Sequence, residues 1–153
     1  MSLKVRKGTL DDVKSFVALG KIMHEESAFA GVEWNQEKVM TFGRVAVTHK
    51  DFCTWGADDN GVPVAMVIAQ VVPYYFSDEL RLCDHLWYID KNYRGGDLAK
   101  QLIDKLITFA KERGVKEIYS GVSTGIDVHR PHAILENKGF EHLGGLYKYK
   151  VQG

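Results

Sequence analysis

The sequence is poor in the residues that staple or interrupt a chain: across 153 residues there are 2 cysteines and 3 prolines. Cys53 and Cys83 stand in apolar, strand-like runs and share no metal-ligand or redox spacing, so no metal site and no disulfide framework is read from them. Two small core residues in a reducing compartment are the simpler account. No apolar run approaches the roughly 18 residues of a membrane span, and the N-terminus lacks the apolar core of a signal peptide. A soluble, cytoplasmic protein is the expectation. Charge of either sign is not in excess, because 20 Lys plus Arg balance 20 Asp plus Glu, which leaves no whole-chain footprint for nucleic acid or an anionic membrane. There is no internal repeat and no low-complexity linker. With 45% hydrophobic and 26% charged residues, the chain has an ordinary globular make-up, and residues 1–153 are read as one domain able to bury a sizeable core.

What is present centres on the stretch from Leu82 to Gly114. An apolar strand, Leu82 to Ile89, runs through Asp90-Lys91-Asn92 into Tyr93-Arg94-Gly95-Gly96-Asp97-Leu98-Ala99 and then a helix. Leu98, Leu102, Leu106 and Ala110 form one apolar stripe flanked by Ala99, Ile103 and Ile107, with Gly114 as the stop. A glycine-containing turn at a helix N-terminus points backbone N–H groups outward, where orphan donors and the helix dipole both favour an anion. Arg94 adds a positive charge, so the turn is a candidate phosphate cradle. A plain tight turn with Asp97 as a first-turn acid explains the same residues. The P-loop ending and the G-x-G-x-x-G spacing are both absent, which disfavours an ATPase and a Rossmann dehydrogenase.

The remaining elements follow from pattern. Lys4 to Lys7 reads as a strand, and Thr9 caps a helix carrying Val13, Phe16, Val17, Leu19 and Ile22 at helical spacing. His24 to Asn35 mixes acids and aromatics in a connection, and Gln36 starts a second helix reaching about His49. Phe52 to Ala57 alternates as a strand, Asp58-Asp59-Asn60-Gly61 is a hairpin turn, and the run Val62 to Val72 is apolar enough for burial on both faces. Pro73 to Asp78 is an aromatic loop. After the central helix come a strand from Lys116 to Val122, a loop Ser123 to Asp127, and a short helix from Pro131 to Lys138. Phe140 to Leu143 and Leu146 to Val151 then read as a closing hairpin. Antiparallel strands first and one parallel crossover later imply an α/β chain with a single mixed sheet and helices on its faces.

In this order the residues resemble the GNAT superfamily of acyl-CoA-dependent N-acyltransferases. Tyr93 to Ala99 is similar to the family's Arg/Gln-x-x-Gly-x-Gly/Ala loop for the coenzyme A pyrophosphate, and Ala133 to Phe140 looks like its ending of an Ala-led helix followed by Lys-Gly-Phe. The resemblance covers nearly the whole chain. It implies the family fold, about seven strands in one mixed sheet with about four helices, and acetyl-CoA as co-substrate with no metal. It also implies that Trp87, Tyr88 and Ile89 offer backbone groups to the thioester and pantetheine, that Arg94, Gly95, Gly96, Asp97, Leu98 and Ala99 hold the pyrophosphate mostly through backbone N–H, and that Asn137 lies on the coenzyme side. Two positions depart from the pattern. Asp97 replaces a usual glycine, placing an acid beside the pyrophosphate, and Leu135 stands where many members carry a tyrosine that protonates the departing thiolate.

The implied chemistry is direct attack of a neutral primary amine, from a small molecule or a peptide, on the thioester. His85 and Asp84 are the candidate bases, although a regular strand points them to opposite faces and only a bulge would bring both to one side. Tyr119, His129, His132, Tyr147 and Tyr149 are candidate acids, Tyr147 among them in the catalytic set, with water as the alternative. His24, Glu25, Phe29, Glu33 and Trp34 sit on the connection that shapes the acceptor site in this family, and the acids there, with Glu26, would suit a cationic amine such as a polyamine, an aminosugar or a peptide N-terminus. A solvated loop explains them equally. Homodimerisation is an expectation from the family alone. A non-catalytic acyl-CoA-binding regulatory module on the same fold, and a generic phosphate-binding domain, remain the rival readings.

Overall fold

The computed structural model describes residues 3–121, 126 and 129–152. One sheet of five strands carries the fold in the order β1-β2-β3-β4-β5, with β1 Leu3–Lys7, β2 Phe52–Asp59, β3 Val62–Pro73, β4 Leu80–Ile89 and β5 Ile118–Tyr119. The pairings β1–β2, β2–β3 and β3–β4 are antiparallel and β4–β5 is parallel. Helices α1 (Val13–Glu26) and α2 (Gln36–Thr48) join β1 to β2, α3 (Leu98–Arg113) makes the crossover from β4 to β5, and α4 (His129–Asn137) follows. The mixed sheet read from the sequence is therefore the observed one. At the β2–β3 turn Asn60 and Gly61 take φ values of 50° and 84°, the backbone sign that a two-residue hairpin needs.

The near-continuous apolar run of β3 is buried throughout from Val64 to Ala69 because helices cover both faces of the sheet. On one side Ala65, Val67 and Ala69 pack with Leu82 against Leu98, Leu102, Leu106 and Ala110 of α3, the stripe expected from its spacing. On the other side Met66 and Tyr88 meet Phe16 and Leu19 of α1. Here Gly56 of β2 makes room for an aromatic ring, since a Cβ at that position would lie 2.7 Å from Phe16 Cζ and 3.1 Å from the Ala65 carbonyl oxygen. At the start of α1, Arg6 holds Asp12 through two hydrogen bonds of 2.7 and 2.5 Å and Asp58 through a third of 2.7 Å. These contacts pull the Asp12 carboxyl down to about 2 and tie the first strand to the first helix.

The closing hairpin is not formed. Among the described residues, 140–152 contain no strand, so the sheet has five strands rather than about seven. Alternation alone does not make a strand: among the described residues the segment pairs with no strand, and Leu146, Tyr147, Tyr149 and Val151 are 68%, 95%, 88% and 88% exposed. Lys148 Nζ ties it to the connection after α1, donating to the Ala28 carbonyl at 2.9 Å. The strand expected from Lys116 is shorter, Ile118–Tyr119, and the expected continuation to Val122, like the loop positions Ser123, Thr124, Gly125 and Asp127, lies outside the described residues.

Gly56→Ala is expected to lower the unfolding free energy by about 1–3 kcal/mol in urea titrations, because neither the Phe16 ring nor the Ala65 carbonyl can retreat without disturbing the sheet. Adding Phe16→Leu to that variant should recover part of the loss, whereas strict additivity of the two changes would disprove the contact as its cause.

Candidate active site

The strand β4 departs from regular pairing at its middle. Ile68 of β3 pairs with Leu86, but the next β3 residue, Ala69, pairs with Asp84, so His85 is an extra residue on β4. This is a β-bulge, and it interrupts the strict alternation of β4 at Asp84 and His85. Both line one cavity of about 320 Å³. On its other edge β4 pairs with β5 only at Leu82 and Cys83, and from Asp84 to Ile89 that edge has no strand partner among the described residues. Trp87 reaches across the opening, its indole N–H donating to the Gly121 carbonyl at 3.3 Å.

The two titratable groups on the bulge occupy different environments. The Asp84 carboxylate accepts from the Ser120 hydroxyl at 2.5 Å and the Gly121 N–H at 3.3 Å. Burial raises its pKa above the ordinary Asp value, and the two hydrogen bonds only partly oppose that rise. His85 stacks on Phe52 with ring centroids 5.7 Å apart and meets Phe42 edge-on at 5.1 Å. Desolvation lowers its pKa, which favours neutral imidazole. Its Nε2 lies 2.7 Å from Gln70 Oε1, a contact that the tautomer with hydrogen on Nε2 satisfies and that leaves Nδ1 as the basic nitrogen in that form.

The glycine loop closes the opposite end of the cavity. Gly95, at φ 93°, and Gly96 lie in its wall with Ala99 of the first turn of α3. A Cβ on Gly96 would meet nothing within 4 Å, and one on Gly95 would come 4.0 Å from Arg130 Nη1 of α4. Backbone donors at a helix start and a guanidinium thus converge on one space, a suitable arrangement for a phosphate group. Arg94 is turned aside from that task. Its Nη1 and Nη2 each donate to Glu26 at 2.9 Å, its Nε donates to the Ile89 carbonyl at 2.8 Å, and its guanidinium stands 5.4 Å from the centroid of the Tyr88 ring. Tyr88 completes the cluster by donating its hydroxyl to Glu26 at 2.5 Å. The Arg94 hydrogen bonds hold the Glu26 carboxyl below its usual range.

Of the positions singled out in the sequence, the cavity gathers Asp84, His85, Trp87, Tyr88, Ile89, Arg94, Gly95, Gly96 and Ala99, together with His24, Phe29 and Trp34 from the connection after α1. The others lie elsewhere. Asp97 and Leu98 line a separate pocket of about 290 Å³ behind the loop, with the Leu98 side chain in the core. Asp97 is exposed and is not among the residues lining the main cavity. Glu25, Glu33 and Asn137 are exposed outside the wall, and Tyr147 is 95% exposed on the terminal segment. Tyr119 bonds Glu117 at 3.1 Å and faces Arg81, His132 packs on His142 at 4.9 Å, Tyr149 is exposed, and the side chain of His129 lies outside the described residues. Arg130, Glu26, Gln70 and Ser120 were not singled out for these contacts, since each meets its partner across elements far apart in the chain. Among the described residues no group of His, Cys, Asp and Glu is placed to hold a metal ion, and no helix is long and apolar enough to cross a membrane.

Comparison with known proteins gives the family and the fold. The family model described as acetyltransferase (GNAT) family matches residues 19–134. No curated protein matches the chain in sequence. Among solved structures, the chain is similar to aminoglycoside acetyltransferase AAC(6')-Iy in complex with a coenzyme A bisubstrate analogue, at 15% identity and a TM-score of 0.75, covering 100% of both chains. It is also similar to a predicted acetyltransferase of Clostridium acetobutylicum with acetyl-CoA, at 18% identity and 0.72, covering 98% of this chain and 97% of that one. A third is the ribosomal-protein-alanine N-acetyltransferase of Brucella melitensis, at 16% and 0.70, covering 99% and 100%.

Arg94→Met is expected to cost about 1–2 kcal/mol at neutral pH in urea unfolding, since it strands the Glu26 carboxylate beside Tyr88. Because the Glu26 pKa is lowered by folding, this contribution is complete above the unfolded value of 4.5 and fades as pH falls through the folded one. An equal gap between parent and variant across that acid range would show that the pair does not carry it.

Proposed function

The chain belongs to the acetyltransferase (GNAT) family, and on that premise we propose that it transfers an acetyl group from acetyl-CoA to a primary amine by direct attack, with residues 1–153 acting as one catalytic domain. The observation that carries the reading is the bulge at His85, beside which one cavity gathers a half-buried carboxylate, an imidazole and the edge of β4 that has no strand partner among the described residues. Acetyl-CoA brings the thioester. The backbone of Trp87, Tyr88 and Ile89 runs along the open edge, where an N–H can polarise the acetyl carbonyl. Gly95, Gly96 and the first turn of α3 take the pyrophosphate through N–H groups, with Arg130 as the cation and Arg94 as the brace that fixes the loop to β4 and Glu26.

Asp84 is the base in this reading. Its raised pKa brings it nearer to that of the proton it must accept, while Ser120 and Gly121 keep it in place. The C–N bond forms as the C–S bond breaks, the ammonium proton passes to Asp84, and the thiolate takes its proton from water, Leu135 being unable to supply one. His85, held by Gln70 and Phe52, orders the acceptor beside it. The same Leu135, buried at 8% exposure, favours the second reading, an acyl-CoA-binding module without turnover. A cytoplasmic location is part of the proposal and is supported by two free thiols, that of Cys53 pushed up to about 12 by burial. Homodimerisation stays an expectation of the family.

Calorimetric titration of acetyl-CoA followed by a thiol-release assay with amines tests the proposal. Arg130→Ala should weaken acetyl-CoA binding by about tenfold. Asp84→Asn should leave that binding intact, lower kcat by about a hundredfold or more, and remove an acid limb of the pH profile lying above the ordinary Asp value. Binding without thiol release by the parent would leave the non-catalytic module, and no binding at millimolar ligand would reject both.

A further inference from the structure

Resting on the acetyltransferase reading, the cavity wall also says what kind of amine it accepts. The acid-rich connection after α1 does not make the wall acidic. Glu25 and Glu33 are exposed outside it, and Glu26 is bound by both terminal nitrogens of Arg94 and by the Tyr88 hydroxyl. Asp84 is the one carboxylate lining the cavity among the described residues. A second or third ammonium group of an acceptor would therefore lose its hydration without gaining a counter-charge, and it would share the space with Arg94 and Arg130.

Beside His85, and Ser27, whose hydroxyl already donates to the His24 carbonyl and accepts from the Phe29 N–H, the acceptor end is mostly ring surface. Phe29, Trp34 and Trp87 stand in the wall, with Met23 and Leu86 beside them. Both indole N–H groups already have acceptors, Trp34 on Gln36 at 2.8 Å and Trp87 on the Gly121 carbonyl. His24 holds the Trp34 ring at a centroid distance of 5.2 Å. These side chains offer faces and edges rather than hydrogen bonds, a poor match for the many hydroxyls of an aminosugar and a good one for an apolar body. A cavity of about 320 Å³ that must also admit the pantetheine end leaves room for a small molecule only.

We propose that the acceptor is a small amine with a single positive charge on an apolar, aromatic-sized body, its nitrogen on Asp84 and its body against Trp34, Phe29 and Trp87, and that polyamines and aminosugars are discriminated against. Binding can be read without turnover by titrating amines into the protein saturated with coenzyme A and following tryptophan fluorescence. 2-Phenylethylamine should saturate the signal with an affinity at least about tenfold above that of spermidine or sisomicin. Trp34→Ala and Asp84→Asn should each weaken it by about tenfold, and Trp34→Phe, which keeps a ring, should largely restore it. Equal or tighter binding of spermidine or sisomicin, or no binding of any amine, overturns the inference. Thiol release with acetyl-CoA separates it from the underlying reading: phenylethylamine that binds without releasing thiol would leave the acceptor class standing and remove the transferase activity. Sisomicin turned over with the highest kcat/KM would do the reverse.

Discussion

One extra residue in β4 is the constraint on which the site depends. A strand in regular register with β3 would direct Asp84 and His85 to opposite faces, one toward the α3 core and one toward the connection after α1. The bulge at His85 breaks that alternation, and it does so just beyond the two residues through which β4 is paired to β5. The same few residues therefore supply the side chains that can move a proton and the backbone edge that can meet a thioester. Bulges bend and twist the strand that carries them, in keeping with the departure of β4 from its parallel neighbour.

A second feature of the site is how its charges are disposed. Arg94 and Glu26 neutralise each other and connect three things: the end of β4 through Ile89, the glycine loop, and the C-terminal turn of α1. The loop that would cradle phosphates is thereby tied to the helix from which the acceptor wall begins. Arg130, from an element late in the chain, brings its Nη1 to 4.0 Å from where a Cβ on Gly95 would stand. Asp84 is the carboxylate that lines the cavity among the described residues, and burial raises its pKa against the opposing hydrogen bonds from Ser120 and Gly121.

The two faces of the sheet divide the labour. Ala65, Val67 and Ala69 lock β3 to α3, whose first turn must be rigid if its N–H groups are to hold an anion. Met66 packs with Phe16 and Leu19 against Tyr88, and Gly56 lets the Phe16 ring lie on β2, so α1 is seated close enough for Glu26 to reach Tyr88 and Arg94. Core packing on that side thus sets the position of the acceptor wall.

Local pattern was enough to read much of this chain. The apolar stripe of α3, the Asn60–Gly61 turn, the doubly buried run of β3 and the glycine loop at a helix start are all encoded within a few residues, because period, turn chemistry and helix ends are short-range properties. Pattern also misled where its partner was distant: Leu146 to Val151 alternate as a strand does, yet among the described residues they pair with no strand and Leu146, Tyr147, Tyr149 and Val151 lie exposed. The bulge at His85 left no mark in composition, since it is a mismatch of register between two strands. The pairing of Glu26 with Arg94 spans 68 positions, and the reach of Arg130 over Gly95 joins α4 to the loop. Which charges remain to face a ligand is decided by such long-range contacts, and these exist only once α1, β4 and α4 are docked on the sheet.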